Sequence, residues 1–231
     1  MTNMHILLPP FIAQPLFELF YRINRRASPV PPIRRAVRSI SGDERSAFDG
    51  LLDSTMTLGP NNLIDYQLAY PKVDFLNYLC DWRGYVAHGS VLRDLNVLQP
   101  IRLTKDSSEF GSRKQIFSSP DAIWAIWFAI LDKSKCHLTE NGCVRVGKGQ
   151  KRVKYYHFDL PAVCKSDSPF TDGMIYLANA GEFPYRHHYP MLSWFDAEVE
   201  EWGSANPVAP LARVAVTPQD FPYLDLVQFR L

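Results

Sequence analysis

Two neighbouring stretches decide the fold. The first is Trp82-Arg83-Gly84-Tyr85-Val86-Ala87-His88-Gly89-Ser90; the second is Gln115-Ile116-Phe117-Ser118-Ser119-Pro120-Asp121-Ala122-Ile123-Trp124-Ala125-Ile126-Trp127-Phe128-Ala129-Ile130-Leu131. The first reads as a short apolar strand that ends on a histidine, a glycine and a hydroxyl. A polar link, Arg102 to Lys114, leads to a second apolar strand, and Pro120-Asp121 then opens a helix. Trp124, Trp127, Phe128 and Leu131 stand at helical spacing, the pattern of a core stripe.

Working outward, residues 41–80 read as helices. Ser41-Gly42-Asp43-Glu44 carries an N-cap at Ser41 or Asp43, with Phe48, Leu51 and Leu52 at helical spacing behind it, and Gly59-Pro60 stops the run. Pro71 starts a second helix over Val73–Cys80. Downstream the signals are strands: Cys143–Val146 and Lys151–Leu160 make a hairpin about Gly147-Lys148-Gly149-Gln150. Asp172–Leu177 is a turn and a buried strand, Leu211–Val216 is another, and Leu224–Phe229 is a last short one. Helices followed mostly by strands, with one central helix, predict an α+β domain.

Residues 1–41 differ from the rest. They carry six arginines (Arg22, Arg25, Arg26, Arg34, Arg35, Arg38) against one acid, Glu18. Pro9, Pro10 and Pro15 break the apolar run, which excludes a membrane-spanning helix and argues against an amphipathic transit peptide. The expectation is a basic, extended arm over 1–41, with Leu16, Phe17, Leu19 and Phe20 packed on a body spanning 42–231 and Ser28–Pro32 as a stiff spacer. Its arginines offer a contact for nucleic acid, although the net charge of +1 gives no global signal for one.

The four cysteines, Cys80, Cys136, Cys143 and Cys164, show no C-x-x-C spacing and read as reduced. A cytoplasmic or other intracellular location follows from that reading. Cys136-His137 with Cys143 offers three zinc ligands but no fourth. Neither a phosphate loop, a dinucleotide fingerprint nor a nucleophile elbow is present. Arg186-His187-His188-Tyr189 reads as a surface loop, because adjacent side chains diverge.

The order of strand, His-Gly-Ser, strand and capped helix resembles the nicotinamide-binding half of the ADP-ribosyltransferase superfamily, which includes poly- and mono-ADP-ribosyl transferases, diphtheria-toxin-like toxins and tRNA 2′-phosphotransferases. The resemblance covers roughly a quarter of the chain and implies a split antiparallel β-sheet core with N-terminal helices. It also implies NAD as substrate, and mono-ADP-ribosyl transfer or NAD hydrolysis as the activity of a glycosyltransferase. The acceptor is open: a protein, a nucleic acid or water. His88 matches the histidine that bonds the adenosine ribose, and Gly89, with Ser90 beside it, matches the glycine that grips the nicotinamide amide. Phe117 and Ser118 stand where the family has Tyr-Phe-Ala, without the tyrosine, and Trp127 matches a ring that stacks on nicotinamide.

The family's acid lies just before a late strand, where this chain has Glu198-Val199-Glu200-Glu201-Trp202. Alternation sets Glu198 and Glu200 on one face and Glu201 on the other. Glu201 is the first choice for the catalytic acid and Glu200 the second. The missing tyrosine admits an inactive recognition module on the same scaffold. A 2′-phosphotransferase would need arginines such as Arg93, Arg102 and Arg113 around the pocket.

Overall fold

The computed structural model describes residues 10–24, 31–100 and 109–230. Residues 28–30 of the expected spacer, and any role for Arg25, Arg26 or Arg102, lie outside them. The described chain is α+β. Four helices accompany three small sheets: α1 (Pro10–Asn24), α2 (Gly42–Met56), α3 (Lys72–Trp82) and α4 (Ala122–Ile130). The strands are β1 (Ile33–Ala36), β2 (Asn62–Leu63), β3 (Tyr85–Ser90), β4 (Ile116–Ser118), β5 (Glu140–Val146), β6 (Val153–Leu160), β7 (Gly173–Asn179), β8 (Tyr185–Arg186), β9 (Ala197–Val199), β10 (Trp202–Ser204), β11 (Ala212–Val216) and β12 (Gln228–Phe229). None of the described helices is long and apolar enough to cross a membrane.

α4 is the hub. Every residue in it but Phe128 is buried, as befits a helix that is apolar on all sides. Asp121 caps it, accepting a hydrogen bond from Trp124 N at 2.7 Å. α4 lies unusually close to β3 and β7, and two glycines make that possible. A Cβ on Gly89 would stand 1.9 Å from Ala125 O, and one on Gly173 1.9 Å from Ala129 O. Only a residue without a side chain permits such an approach.

β3 belongs to a sheet ordered β2-β11-β7-β3, antiparallel except for β2 with β11. A second sheet runs β1-β6-β5-β9, with β12 also on β6. The third, β4-β10-β8, stands between them. It meets the first through a bridge between Ala87 and Ser119, and the second through the chain itself, which leaves β9 and enters β10 across Glu200-Glu201.

α2 forms with Ser41 as its cap, the Oγ accepting from Glu44 N, and buries Phe48 and Leu52. The hairpin is that of β5 and β6. The segment expected to be an extended arm differs. Residues 10–24 are helical around Pro15, because Ala13, Phe17 and Tyr21 bury one face against the second sheet, where Phe17 packs on Tyr155 and Phe195. That packing outweighs the one backbone hydrogen bond Pro15 removes. Phe17 and Phe20 pack on the body as expected, but Leu16 and Leu19 point outward, 43% and 56% exposed. β1 then pairs with β6, so the packing has no seam at residue 41. Arg34 pairs with Glu18, Arg35 with Asp81, and Arg38 with Glu44 and Asp74. These three arginines serve the fold.

The cysteines also depart from expectation. Cys136 and Cys164 are joined in a disulfide with Cα atoms 5.6 Å apart, while Cys80 and Cys143 are free and buried. The reading of all four as reduced is thereby corrected, and with it the argument from cysteines to an intracellular location. No sequence pattern announced the pair; β6 and the turn after it bring Cys164 back to the loop that follows α4.

Candidate functional site

β3, β4 and β10 lie side by side and bring most of the expected site residues together. His88 Nδ1 is 2.6 Å from the carbonyl oxygen of Phe117, which fixes the ring against β4. Its ring also lies 6.3 Å from that of Tyr176, whose hydroxyl donates to Leu92 O and accepts from Leu95 N, tying down the loop that leaves β3. Ser118 lies opposite Trp202 in the β4–β10 register, which sets Glu201 at the mouth of that pair.

Glu201 Oε2 lies 2.7 Å from His187 Nδ1, with the two side chains 20% and 9% exposed. The backbone doubles the link, His187 N donating to Glu201 O. The His187 ring stacks on Phe110 at 4.7 Å, and Phe110 meets Phe117 edge-on at 5.9 Å. Gln115 holds Phe110 in place by donating to its carbonyl. Strand pairing and ring contacts thus connect His88, Phe117, Phe110, His187 and Glu201 in one continuous set. Beside them, Arg186 lies over the Trp202 ring at 3.5 Å, a cation–π contact.

Other expected residues have different duties. Ser118 is buried and donates to Ala87 O, stapling β4 to β3. Ser90 Oγ accepts from Leu92 N, closing a local turn. Gly89 is glycine because of α4, since its missing side chain would enter the helix backbone. Trp127 is fully buried and packs on Phe158, Phe170 and Phe221, so its ring belongs to the core. Arg93 lines a separate cleft, and Arg113 pairs with Glu109 and lies over Tyr185.

Glu200, the second choice for the acid, is structural. Its carboxylate is 3.1 Å from Arg145 Nε and 3.3 Å from Lys154 Nζ, and only 6% exposed. Glu198 shares Arg145, as the alternation of side chains predicts, leaving Glu201 alone on the other face. Lys154 is the centre of a buried ion cluster, with Asp81 and Asp121 each 3.0 Å from its ammonium. Arg35 and Arg152 pair with Asp81, and Tyr156 donates to Asp121. Burial opposes charge on Lys154, but Asp121, Asp81 and Glu200 outweigh it and raise its pKa well above the usual value. Burial likewise works against ionised Asp81, yet Lys154 and Arg35 hold its carboxyl well below the usual range. The cluster locks the β9–β10 junction from behind and so orients Glu201 in front.

Nothing local marked Phe110 or His187. The pair Tyr185-Arg186 is too short a strand to show a period, so the inward turn of His187 was invisible, while His188 is exposed as a surface loop requires. Two clefts of measurable volume lie away from this site. One of about 260 Å³ is lined by β1 and α3, and a wider one of about 710 Å³ by Arg93, Asp132 and Phe170. No family model, curated protein or solved structure matches the chain.

Proposed function

We propose that the connected set of His88, Phe117 and Glu201 binds NAD and breaks its bond between ribose and nicotinamide. One observation carries this reading. The acid singled out by side-chain alternation flanks β10, β10 pairs with β4, and β4 is hydrogen-bonded to His88.

In the proposed reaction the C1–N bond of the ribose breaks and its electron pair leaves with nicotinamide, which departs neutral. Positive charge grows on the ribose as in glycoside cleavage. Glu201, as an anion, stabilises that charge, and its bond to His187 keeps the carboxylate aimed. A nucleophile then bonds C1 and releases its proton. With water the outcome is hydrolysis; with a macromolecule it is mono-ADP-ribosylation. Phe117, which Phe110 meets edge-on, supplies a face on which a flat ring can lie.

Incubation with NAD labelled separately in the nicotinamide and the adenylate tests this. Nicotinamide release that disappears in Glu201→Gln and falls in His88→Ala supports it, and the adenylate label then identifies the acceptor. A second reading, a recognition module without catalysis, draws on the stacking of Phe110 over the imidazole that engages Glu201. Under it, NAD raises the melting temperature but releases no nicotinamide. Neither release nor a thermal shift at millimolar NAD would reject both.

A further inference from the structure

We infer that Phe110 is an autoinhibitory plug: its phenyl ring takes, on the imidazole of His187, the place of the nicotinamide ring, and NAD binds only when that ring withdraws. The inference rests on the NAD reading and names the contact that regulates the site.

Strand register shows what the ring covers. Tyr185 lies opposite Gly203, and Gly203 opposite Phe117, so the three share one face of the β4-β10-β8 sheet. Glu201 and His187, two residues from Gly203 and Tyr185 and joined by a backbone hydrogen bond, fall on the same face. Phe110 lies across it, with its ring 13° from parallel to the His187 imidazole and edge-on to Phe117. Phe110 is 6% exposed, and beside it the side chains of His187 and Glu201 are 9% and 20% exposed. Glu201 Oε2 is 2.7 Å from the Nδ1 of that imidazole, so a ring stacked there has its substituent beside the carboxylate, as cleavage of the bond to nicotinamide requires. Both rings are flat and six-membered, and one excludes the other from this face.

The plug is tied down by few contacts. Although buried, Phe110 belongs to none of the three hydrophobic cores among the described residues. Its carbonyl accepts from Gln115 Nε2 at 2.9 Å, and Gln115 lies against Gly203, where a Cβ would stand 2.2 Å from Gln115 Oε1. A further tie across the turn is the ion pair of Glu109 with Arg113, whose side chains are 87% and 46% exposed, and an exposed pair holds little. A ligand that must first expel the ring has its affinity reduced by the fraction of molecules that are open.

The experiment measures nicotinamide binding by calorimetry and nicotinamide release from NAD, on the full chain, for the parent, Phe110→Ala and Gln115→Met. Phe110→Ala removes the ring. Gln115→Met keeps the ring and cuts its anchor, so a gain there does not come from a new cavity. Phe110→Ala should bind nicotinamide about tenfold or more tightly than the parent and release it faster from NAD below saturation, with a smaller gain in the same direction for Gln115→Met. If Phe110 only supports the fold, both variants lose binding and release. A parent that binds or releases nicotinamide while neither variant, shown to be folded by urea unfolding, exceeds it overturns the plug and leaves the NAD reading standing. Tighter binding confined to Phe110→Ala, without faster release, is that of a cavity and also overturns the plug. Neither binding nor release in any of the three overturns both readings. Should Phe110→Ala fail to fold, Gln115→Met decides by the same criteria.

Discussion

Glu200 and Glu201 are consecutive in the chain and send their carboxylates to opposite sides of the β9–β10 junction, Glu200 to Lys154 at 3.3 Å and Glu201 to His187 at 2.7 Å. The two substitutions to glutamine should therefore separate stability from chemistry. Glu201→Gln keeps the shape and leaves the urea midpoint near that of the parent. Under the proposed reaction it lowers nicotinamide release by roughly 10²-fold or more, the scale of losing a preorganised electrostatic contact. Glu200→Gln should instead cost about 3 kcal/mol of stability, because it leaves Lys154 and Arg145 short of a buried partner. Glu198→Gln, whose side chain is 56% exposed, should change neither. A stable Glu200→Gln protein would remove the ion cluster from its role as the support of the site.

Acid titration should read the same cluster. The Asp81 carboxyl is held below its usual range, so its contribution to stability is present above the unfolded-state pKa near ~3.9 and is lost as pH falls toward the folded value. Glu44, lowered by its hydrogen bond to Arg38, acts in the same direction. The expected profile is flat from mildly acidic to neutral pH and declines only below about pH 4. Lys154→Met leaves Asp81, Asp121 and Glu200 crowded without their shared cation, which should cost about 3–5 kcal/mol at neutral pH. Acidification should then reverse part of that loss, as the crowded acids take up protons. Urea midpoints at several pH values for both proteins check the crossing of the two trends.

The thiols set the alkaline side. Burial raises the pKa of Cys80 and of Cys143, so each contributes stability that is full below the unfolded-state value near ~8.5 and is lost as pH rises above it. Each should add about 1.4 kcal/mol per pH unit to the slope there. Replacing both by alanine should lower stability overall but flatten this limb. Thiol reagent should find no reactive group in the native protein, two in denaturant, and four after reduction, since Cys136 and Cys164 are paired. Removing that pair, which closes a separation of 28 residues, should cost about 3.5 kcal/mol on the chain-entropy estimate. Four titratable thiols without reductant would contradict the pairing.

What was legible depended on how local the cause was. α2, α3, α4, β3, β6, β7 and β11 follow periodicity, caps and turn residues that a few neighbours define. The opposite faces of Glu200 and Glu201 follow from strand alternation alone. α1 was misread because Pro15 is a local signal, whereas the burial of Phe17 against Tyr155 is a tertiary one. Nothing local marks Lys154, since its partners come from positions 81, 121 and 200. The disulfide and the contact of Phe110 with His187 belong to the same class. Each joins segments whose meeting is decided by the packing of whole sheets.

Gly89 has a reason to be glycine that lies in the fold itself. It stands where the resemblance expects a glycine for a ligand's sake, but in this fold the side chain is excluded by α4. A Cβ there would lie 1.9 Å from Ala125 O and 2.8 Å from Ala129 N, both backbone atoms that cannot rotate away. Gly89→Ala must therefore push α4 off β3. The β3–β4 staple by Ser118 and the bond from His88 to Phe117 lie immediately beside that contact. The expected cost is about 3 kcal/mol or more, at the upper end of overpacking, because the clash is with backbone. Gly181→Ala is the control, since nothing lies within 4 Å of its added Cβ, and it should fall within about ±0.5 kcal/mol of the parent. Gly173→Ala, which meets Ala129 O at 1.9 Å on the neighbouring strand, should resemble Gly89→Ala in stability. Thermal or urea unfolding of the three variants decides the matter: if Gly89→Ala is as stable as Gly181→Ala, α4 does not sit against β3 as described, and the placement of His88 beside β4 loses its support.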